Sequence, residues 1–255
     1  MSEPAATTPV IAFTPNDLVG LRKVSAVVAH PQGDRSVAVI ERLDPERAKY
    51  LADLWLVPHD GSPATRLTRG EWRDRSPAFL ADGSLAFASD RPHPDAKGDD
   101  PRTQVWILPP SGEAYPLTDE PLGVADFKVA GTTLALLTEV LPDLPYDQQR
   151  KRHIEKKKQG PSILRYAAQP VRYWDHWLGP GAPHLIAYDL ALDLSEGRHL
   201  ASARRDLTPD AGDALVETSW DLSGTGRLVA IGWASINPSD RIHDRSIALI
   251  DTASG

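Results

Sequence analysis

The 255-residue chain is 41% hydrophobic and 25% charged, an ordinary soluble composition. Its formal net charge of −7 argues against a general nucleic-acid binder, which needs a basic footprint to release counterions. The chain has no cysteine, which excludes disulfides, zinc–thiolate sites and cysteine nucleophiles. Residues 1–10 lack the basic-then-apolar order of an export signal, and no apolar run approaches ~18 residues, so a cytoplasmic location without a membrane span is expected.

The 23 prolines and 18 glycines are spread along the chain, which suits many short strands joined by turns. Residues 1–23 are expected to form a lead-in with a short helix. A first unit over about 24–70 begins with a strand at Ser25–His30. It then turns at Gly33 into Ser-Val-Ala-Val-Ile40, runs through Leu54-Trp-Leu-Val57 to a second glycine, Gly61, and closes on Leu67-Thr68. A second unit over about 72–121 repeats the order with Gly83, Val105-Trp-Ile-Leu108, Gly112 and Leu117-Thr118. A third, over about 124–210, starts with Gly131 and ends on Leu207-Thr208, but its second glycine is Gly197. About 37 extra residues, assigned to 142–178, account for the delay. The last unit, about 215–255, carries Gly226 and Gly255 and lacks its final strand.

The spacing of the paired glycines carries the argument: 28 residues from Gly33 to Gly61, and 29 both from Gly83 to Gly112 and from Gly226 to Gly255. Asp-Gly and Ser-Gly turns supply the positive φ that hairpins require. A four-stranded antiparallel unit repeated in series is the signature of a propeller blade. The expected fold is therefore all-β, a partial β-propeller of about three and a half blades over 24–255 with one helical insertion. The rival is a β-sandwich with accidental self-similarity.

The order of these pieces resembles the prolyl oligopeptidase-like serine peptidases, nearest the acylaminoacyl-peptidase branch. The similar stretches are Phe13-Thr-Pro-Asn-Asp-Leu-Val-Gly-Leu-Arg-Lys-Val-Ser25 and Ser76-Pro-Ala-Phe-Leu-Ala-Asp-Gly-Ser-Leu-Ala-Phe-Ala-Ser-Asp-Arg91. Arg172-Tyr-Trp-Asp-His-Trp177, Pro183-His-Leu-Ile-Ala-Tyr-Asp-Leu190 and Arg205-Asp-Leu-Thr-Pro209 complete the set. The resemblance implies an N-terminal propeller that restricts access to a C-terminal α/β-hydrolase domain. That domain is expected to be absent here and to be the propeller's partner in the same gene product. Short peptides are the implied substrates, with oligomer contacts a further expected role. The family's Gly-x-Ser-x-Gly nucleophile elbow has no match in this chain, so no catalytic residue is carried over. Which peptidase specificity the parent has is left open.

Other chemistry is poorly supported. The eight histidines show no His-x-x-x-His spacing, and Asp95, Asp99 and Asp100 lack the alternation of a calcium loop, so no metal or cofactor is expected. His59 falls in a repeat turn. Gly179-Pro-Gly181 fails as a phosphate cradle and reads as a turn. Tyr173, Trp174 and Trp177 form an aromatic knot expected to pack on the propeller face.

The insertion is physically unusual. Tyr146-Asp-Gln-Gln-Arg-Lys-Arg-His-Ile-Glu-Lys-Lys-Lys158 predicts a helix with six basic residues against two acids and no apolar stripe. It reads as a solvated surface helix, as a cationic feature at a substrate entrance, or as a nucleic-acid contact. On the second reading Arg150, Arg152 and Arg172 could reach a peptide carboxylate. The functional expectation is a substrate-gating, non-catalytic propeller of a serine peptidase. The alternatives are a TolB-like interaction scaffold and a self-sufficient hydrolase for which no spacing speaks.

Overall fold

The computed structural model describes residues 13–44, 46, 49–94, 102–141, 144–159, 172–173, 176–177, 179–235 and 244–255. A short helix, α1 (Pro15–Gly20), opens the described chain. It starts where it does because Thr14 and Asp17 form a capping box, with Pro15 in the first turn.

Three four-stranded sheets and one three-stranded sheet follow in chain order, each a simple antiparallel meander. The first holds β1 (Lys23–Ala29), β2 (Arg35–Leu43), β3 (Tyr50–Pro58) and β4 (Thr65–Arg66). The second holds β5 (Arg75–Phe79), β6 (Leu85–Ser89), β7 (Gln104–Leu108) and β8 (Tyr115–Pro116). The third begins with β9 (Asp126–Ala130) and β10 (Thr133–Val140). Between them and its last two strands lie α2 (Tyr146–Gln159) and a small hairpin of β11 (Arg172–Tyr173) and β12 (His176–Trp177). The third sheet is then completed by β13 (Ala182–Asp193) and β14 (Arg198–Asp206). The fourth comprises β15 (Trp220–Leu222), β16 (Leu228–Ser235) and β17 (Asp244–Asp251).

The first strands lie side by side, β1 by β5, β5 by β9 and β9 by β15, so the sheets fan out from a common line and stack face to face. This is a partial β-propeller, and the sandwich reading is set aside: among the described residues no sheet shows a Greek-key crossing. Trp220 of β15 donates its indole N–H to Asp126 of β9 at 2.9 Å, tying two of these inner strands together.

Because the second and third sheets are covered on both faces by their neighbours, their central strands read as near-continuous apolar runs, whereas in the two outer sheets Val24 and Val27 of β1 and Ile247 and Leu249 of β17 are exposed. The second sheet shows how one strand serves two seams. Leu85 and Phe87 of β6 face Val37, Val39 and Leu54 of the first sheet, whereas Ala86 and Ala88 face Leu134, Leu136 and Ile186 of the third. Small residues on one face let the larger side chains opposite interdigitate at normal packing density. The third seam sets Ala135, Leu137, Leu185 and Ala187 against Val229, Ile231 and Ile250. Complete burial of a side chain such as Phe87 is worth about 1.5–3 kcal/mol.

The repeat glycines work through backbone conformation. Gly226 has φ +75°, and a Cβ there would stand 2.3 Å from the carbonyl oxygen of Ala130, so the fourth sheet can approach the third only with glycine at this turn.

The repeated Leu-Thr dipeptide closes each of the first three sheets. The Leu67, Leu117 and Leu207 amides bond the Leu54, Val105 and Leu185 carbonyls at 2.8, 2.8 and 2.9 Å. The amides of those same third-strand residues donate to the hydroxyls of Thr68, Thr118 and Thr208 at 3.0, 3.0 and 2.8 Å. All three threonines are buried, so each hydroxyl satisfies an amide that water cannot reach. Trp55 and Trp106 occupy matching places, each following the capped residue and pairing with the second residue of a two-residue strand.

Thr118→Val is the sharpest test, because this hydroxyl also donates to Gln104 Oε1 at 2.8 Å. The substitution leaves the buried Val105 amide without a partner and removes one of the two donors to Gln104 Oε1, and is expected to cost about 1–3 kcal/mol. Urea unfolding followed by tryptophan fluorescence should show the midpoint falling with little change in slope, while Thr118→Ser stays near wild type. An unchanged midpoint for the valine variant would remove the hydroxyl from its closing role.

Candidate functional site

The meander gives every sheet two unlike ends. At one end lie the first-to-second and third-to-fourth strand turns, which are short and carry Gly33, Gly61, Gly83, Gly112, Gly131, Gly197 and Gly226. At the other end lie the second-to-third connections, spanning 44–49, 90–103, 141–181 and 236–243, together with the links from one sheet to the next. Long connections gathered on one face of a repeat protein mark its working face. The helix α2 stands on that face, in the longest connection.

Two contacts hold α2 there. Gln149 is buried, accepts the Leu141 amide at 3.2 Å and donates to the Leu144 carbonyl at 3.2 Å, fixing the helix to its own leading segment. Arg150 donates to the backbone carbonyl of Asp119 at 3.0 Å and pairs with the Asp119 carboxylate. Burial raises the Asp119 carboxyl, but the hydrogen bond and charge of Arg150 outweigh it and hold the group below its ordinary value.

The next residue, Glu120, turns inward and is fully buried. Its carboxylate takes two bonds from Arg204 of β14, from Nε at 3.1 Å and from Nη2 at 3.3 Å, and accepts the Tyr188 hydroxyl of β13. Gln104 grips its backbone, with Nε2 donating to the Glu120 carbonyl at 2.9 Å and Oε1 accepting the Glu120 amide at 2.9 Å. Arg204 in turn lies 4.2 Å from the ring centroid of Tyr146, the first residue of α2. Burial, then the Glu120 charge, drives the Tyr188 hydroxyl far above its ordinary range, and the same two causes raise Tyr146. Burial would lower Arg204, yet its bonds to Glu120 raise it. Every charge in this cluster is paired, so it is built to hold rather than to react.

His184, His59 and His199 are similarly committed. His184 Nδ1 meets Asp206 at 2.7 Å, and His59 meets the Ser36 hydroxyl at 2.9 Å and the Gly33 carbonyl at 2.8 Å, in keeping with a turn role. His199 Nε2 meets Asp82 Oδ2 at 2.9 Å, and the Ser84 hydroxyl donates to the same oxygen at 2.9 Å. These are the residue types of a catalytic triad in the wrong order. The carboxylate stands between hydroxyl and imidazole, so no imidazole faces the serine proton, and Ser84 is buried. Among the described residues no three His, Cys, Asp or Glu side chains stand together as a metal set, and no helix is long and apolar enough to cross a membrane.

Of the three arginines singled out from the sequence, Arg150 is turned onto Asp119, with its Nε shielded from solvent. Arg152 lies two residues on, pointing to another side of the helix, and is exposed. Arg172 pairs with Trp177 in the β11–β12 hairpin, and its side chain lies outside the described residues, as do those of Tyr173, Trp174 and Trp177. The segment with Asp95, Asp99 and Asp100 also lies outside them. Glu120, Tyr188 and Arg204 escaped sequence reasoning. The one local sign was an Asp-Glu pair directly after Leu117-Thr118, where the first unit has Arg69-Gly70.

No family model matches the chain. An uncharacterized peptidase of Bacillus subtilis (strain 168), YuxL, is 32% identical over 115 residues, covering 44% of this chain and 16% of that protein. The Pyrococcus horikoshii acylaminoacyl peptidase in its orthorhombic crystal form matches with a TM-score of 0.58 at 10% identity, over 94% of this chain and 33% of its own. An acylaminoacyl peptidase in complex with Z-Gly-Gly-Phe-chloromethyl ketone matches with a TM-score of 0.55 at 9% identity, over 91% of this chain and 32% of its own. At these identities the structural agreement is one of fold, and the chain spans about a third of the length of either structure. The branch that the sequence motifs resemble and the structures that share the fold are the same kind of peptidase.

Proposed function

We propose that this chain is the substrate-gating, non-catalytic propeller part of an oligopeptidase-type serine peptidase, with hydrolysis carried out by an α/β-hydrolase domain of the same gene product. The observation that carries the reading is the cationic helix α2 inserted on the long-connection face of a fold shared with acylaminoacyl peptidases. In a chain of net charge −7, α2 carries six basic residues against two acids, so an anionic peptide gains near it. Short peptides with free carboxylates are the substrates this field favours. Stacked sheets supply a rigid wall, and the charged helix supplies selectivity at its rim. Of the three arginines proposed to meet a substrate carboxylate, Arg152 and Arg172 keep that role, and Arg150 orients the helix instead.

In the protein carrying both parts, Arg152→Ala should raise KM for short acidic peptides about two- to threefold at low ionic strength, with kcat unchanged and the effect fading near physiological salt. A KM that does not move at low salt would make the helix an ordinary solvated surface.

The 255-residue chain alone is expected to hydrolyse nothing. Acyl transfer at neutral pH needs an activated nucleophile, a base and oxyanion donors. The glycine-flanked serines Ser62 and Ser84 instead donate their amides to Asp60 and Asp82 in tight turns, at 2.9 and 3.0 Å. Incubation with chromogenic peptides and a fluorophosphonate probe should give neither product nor labelled protein. Stoichiometric labelling of any serine in the chain would sink the non-catalytic assignment.

A further inference from the structure

We propose that Asp119 and Glu120, adjacent in the link between the second and third sheets, form a two-sided latch that sets the position of α2 and couples it to the seam beneath. Asp119 faces out and takes Arg150 from the first turns of α2. Glu120 faces in and takes Arg204, whose guanidinium carries Tyr146 from the N-terminus of α2 at 4.2 Å. The helix is therefore held at two points by one dipeptide.

The two halves have different strengths. The Arg150 and Asp119 side chains are 34% and 44% exposed, so their pair is screened and worth only a few-fold in a local opening equilibrium. The Glu120 carboxylate is 0% exposed, and removing its charge leaves Arg204 and Tyr188 without their shared partner between two packed sheets. The outer half can let go while the inner half holds, so α2 can swing from its Tyr146 end without unfolding the propeller. A helix that bears the entrance cations and swings in this way is a lid, and Asp119 and Arg150 are its positioning residues. The consequence for substrate access rests on the gating reading above, but the latch is a property of this chain and is tested without any activity.

The test is hydrogen–deuterium exchange by mass spectrometry on the 255-residue chain, with far-UV circular dichroism confirming each variant folded. Asp119→Ala and Arg150→Ala should speed exchange of α2 amides about two- and threefold, the arginine more because it also loses its bond to the Asp119 carbonyl, and the double variant should be no faster than Arg150→Ala. Exchange in β13 and β14 should stay at the wild-type rate in all three. Arg152→Ala, which removes an equal charge outside the latch, should leave α2 exchange unchanged. Glu120→Gln should speed exchange in α2 and in β14 together. Additive effects of the two outer substitutions, or an Arg152→Ala effect equal to that of Arg150→Ala, would overturn the latch. Should Glu120→Gln not fold, the outer cycle alone decides the question. A normal latch with no KM response to Arg152→Ala would reject the gating reading and leave the latch standing.

Discussion

A carboxylate without solvent must be neutralised where it stands, and the arrangement around Glu120 follows from that requirement. Desolvating such a charge costs several kcal/mol, offset only by good geometry with its partners. Arg204 approaches it with two nitrogens, Tyr188 adds a hydroxyl, and Gln104 fixes the backbone on either side of it. These groups come from β7, β13 and β14, so the pairing can form only when the second and third sheets are stacked in one register. Apolar seams tolerate sliding, since Leu, Ile and Val contacts are non-directional. A buried ion pair with three hydrogen bonds does not. The position of α2 depends on the same group, because Tyr146 rests on the arginine that Glu120 orients.

Most of the fold was legible because its determinants are local and repeated. Paired glycines at 28 or 29 residues mark hairpin turns whose backbone conformation few other residues adopt, and Leu-Thr marks the place where a buried hydroxyl finishes a sheet. Such features recur at a fixed offset, so one chain contains several independent readings of each. The helix in the insertion was legible for a similar reason: good helix formers from Tyr146 onward, with an acid early and lysines late. The candidate site was not. Glu120 lies 84 residues from Arg204 and 68 from Tyr188, and an ion pair across two sheets has no period. Arg150 was read as a group for a substrate carboxylate, whereas it is turned onto Asp119, a partner 31 residues away and visible only in three dimensions.

Meander topology also explains why the long connections collect at one end. Turns of two to six residues, each with a glycine at positive φ, leave little room for insertions at that end. The second-to-third connections carry no such restriction, and they can lengthen without disturbing strand pairing. The third sheet shows this most clearly, with Val140 and Ala182 still paired although some forty residues separate them. Loop-closure entropy grows only logarithmically with length, so an insertion of this size costs the sheet little.

The charge pattern sets a limit on what such a helix can do. At physiological ionic strength the screening length is about 8 Å, so α2 acts on groups that come within roughly two helix radii and not on distant ones. Arg150 is spent on Asp119, and Lys151 lies near Glu155 within the helix, whereas Arg152 is exposed. The C-terminal lysines of α2 sit where the helix dipole is negative, which stabilises them as cations but weakens the field they project. Arg152, more than one turn further back and exposed, escapes that compensation. A short-range field from one well-placed guanidinium reaches only groups close to the helix, which is the electrostatic form the proposed rim takes in an acidic protein.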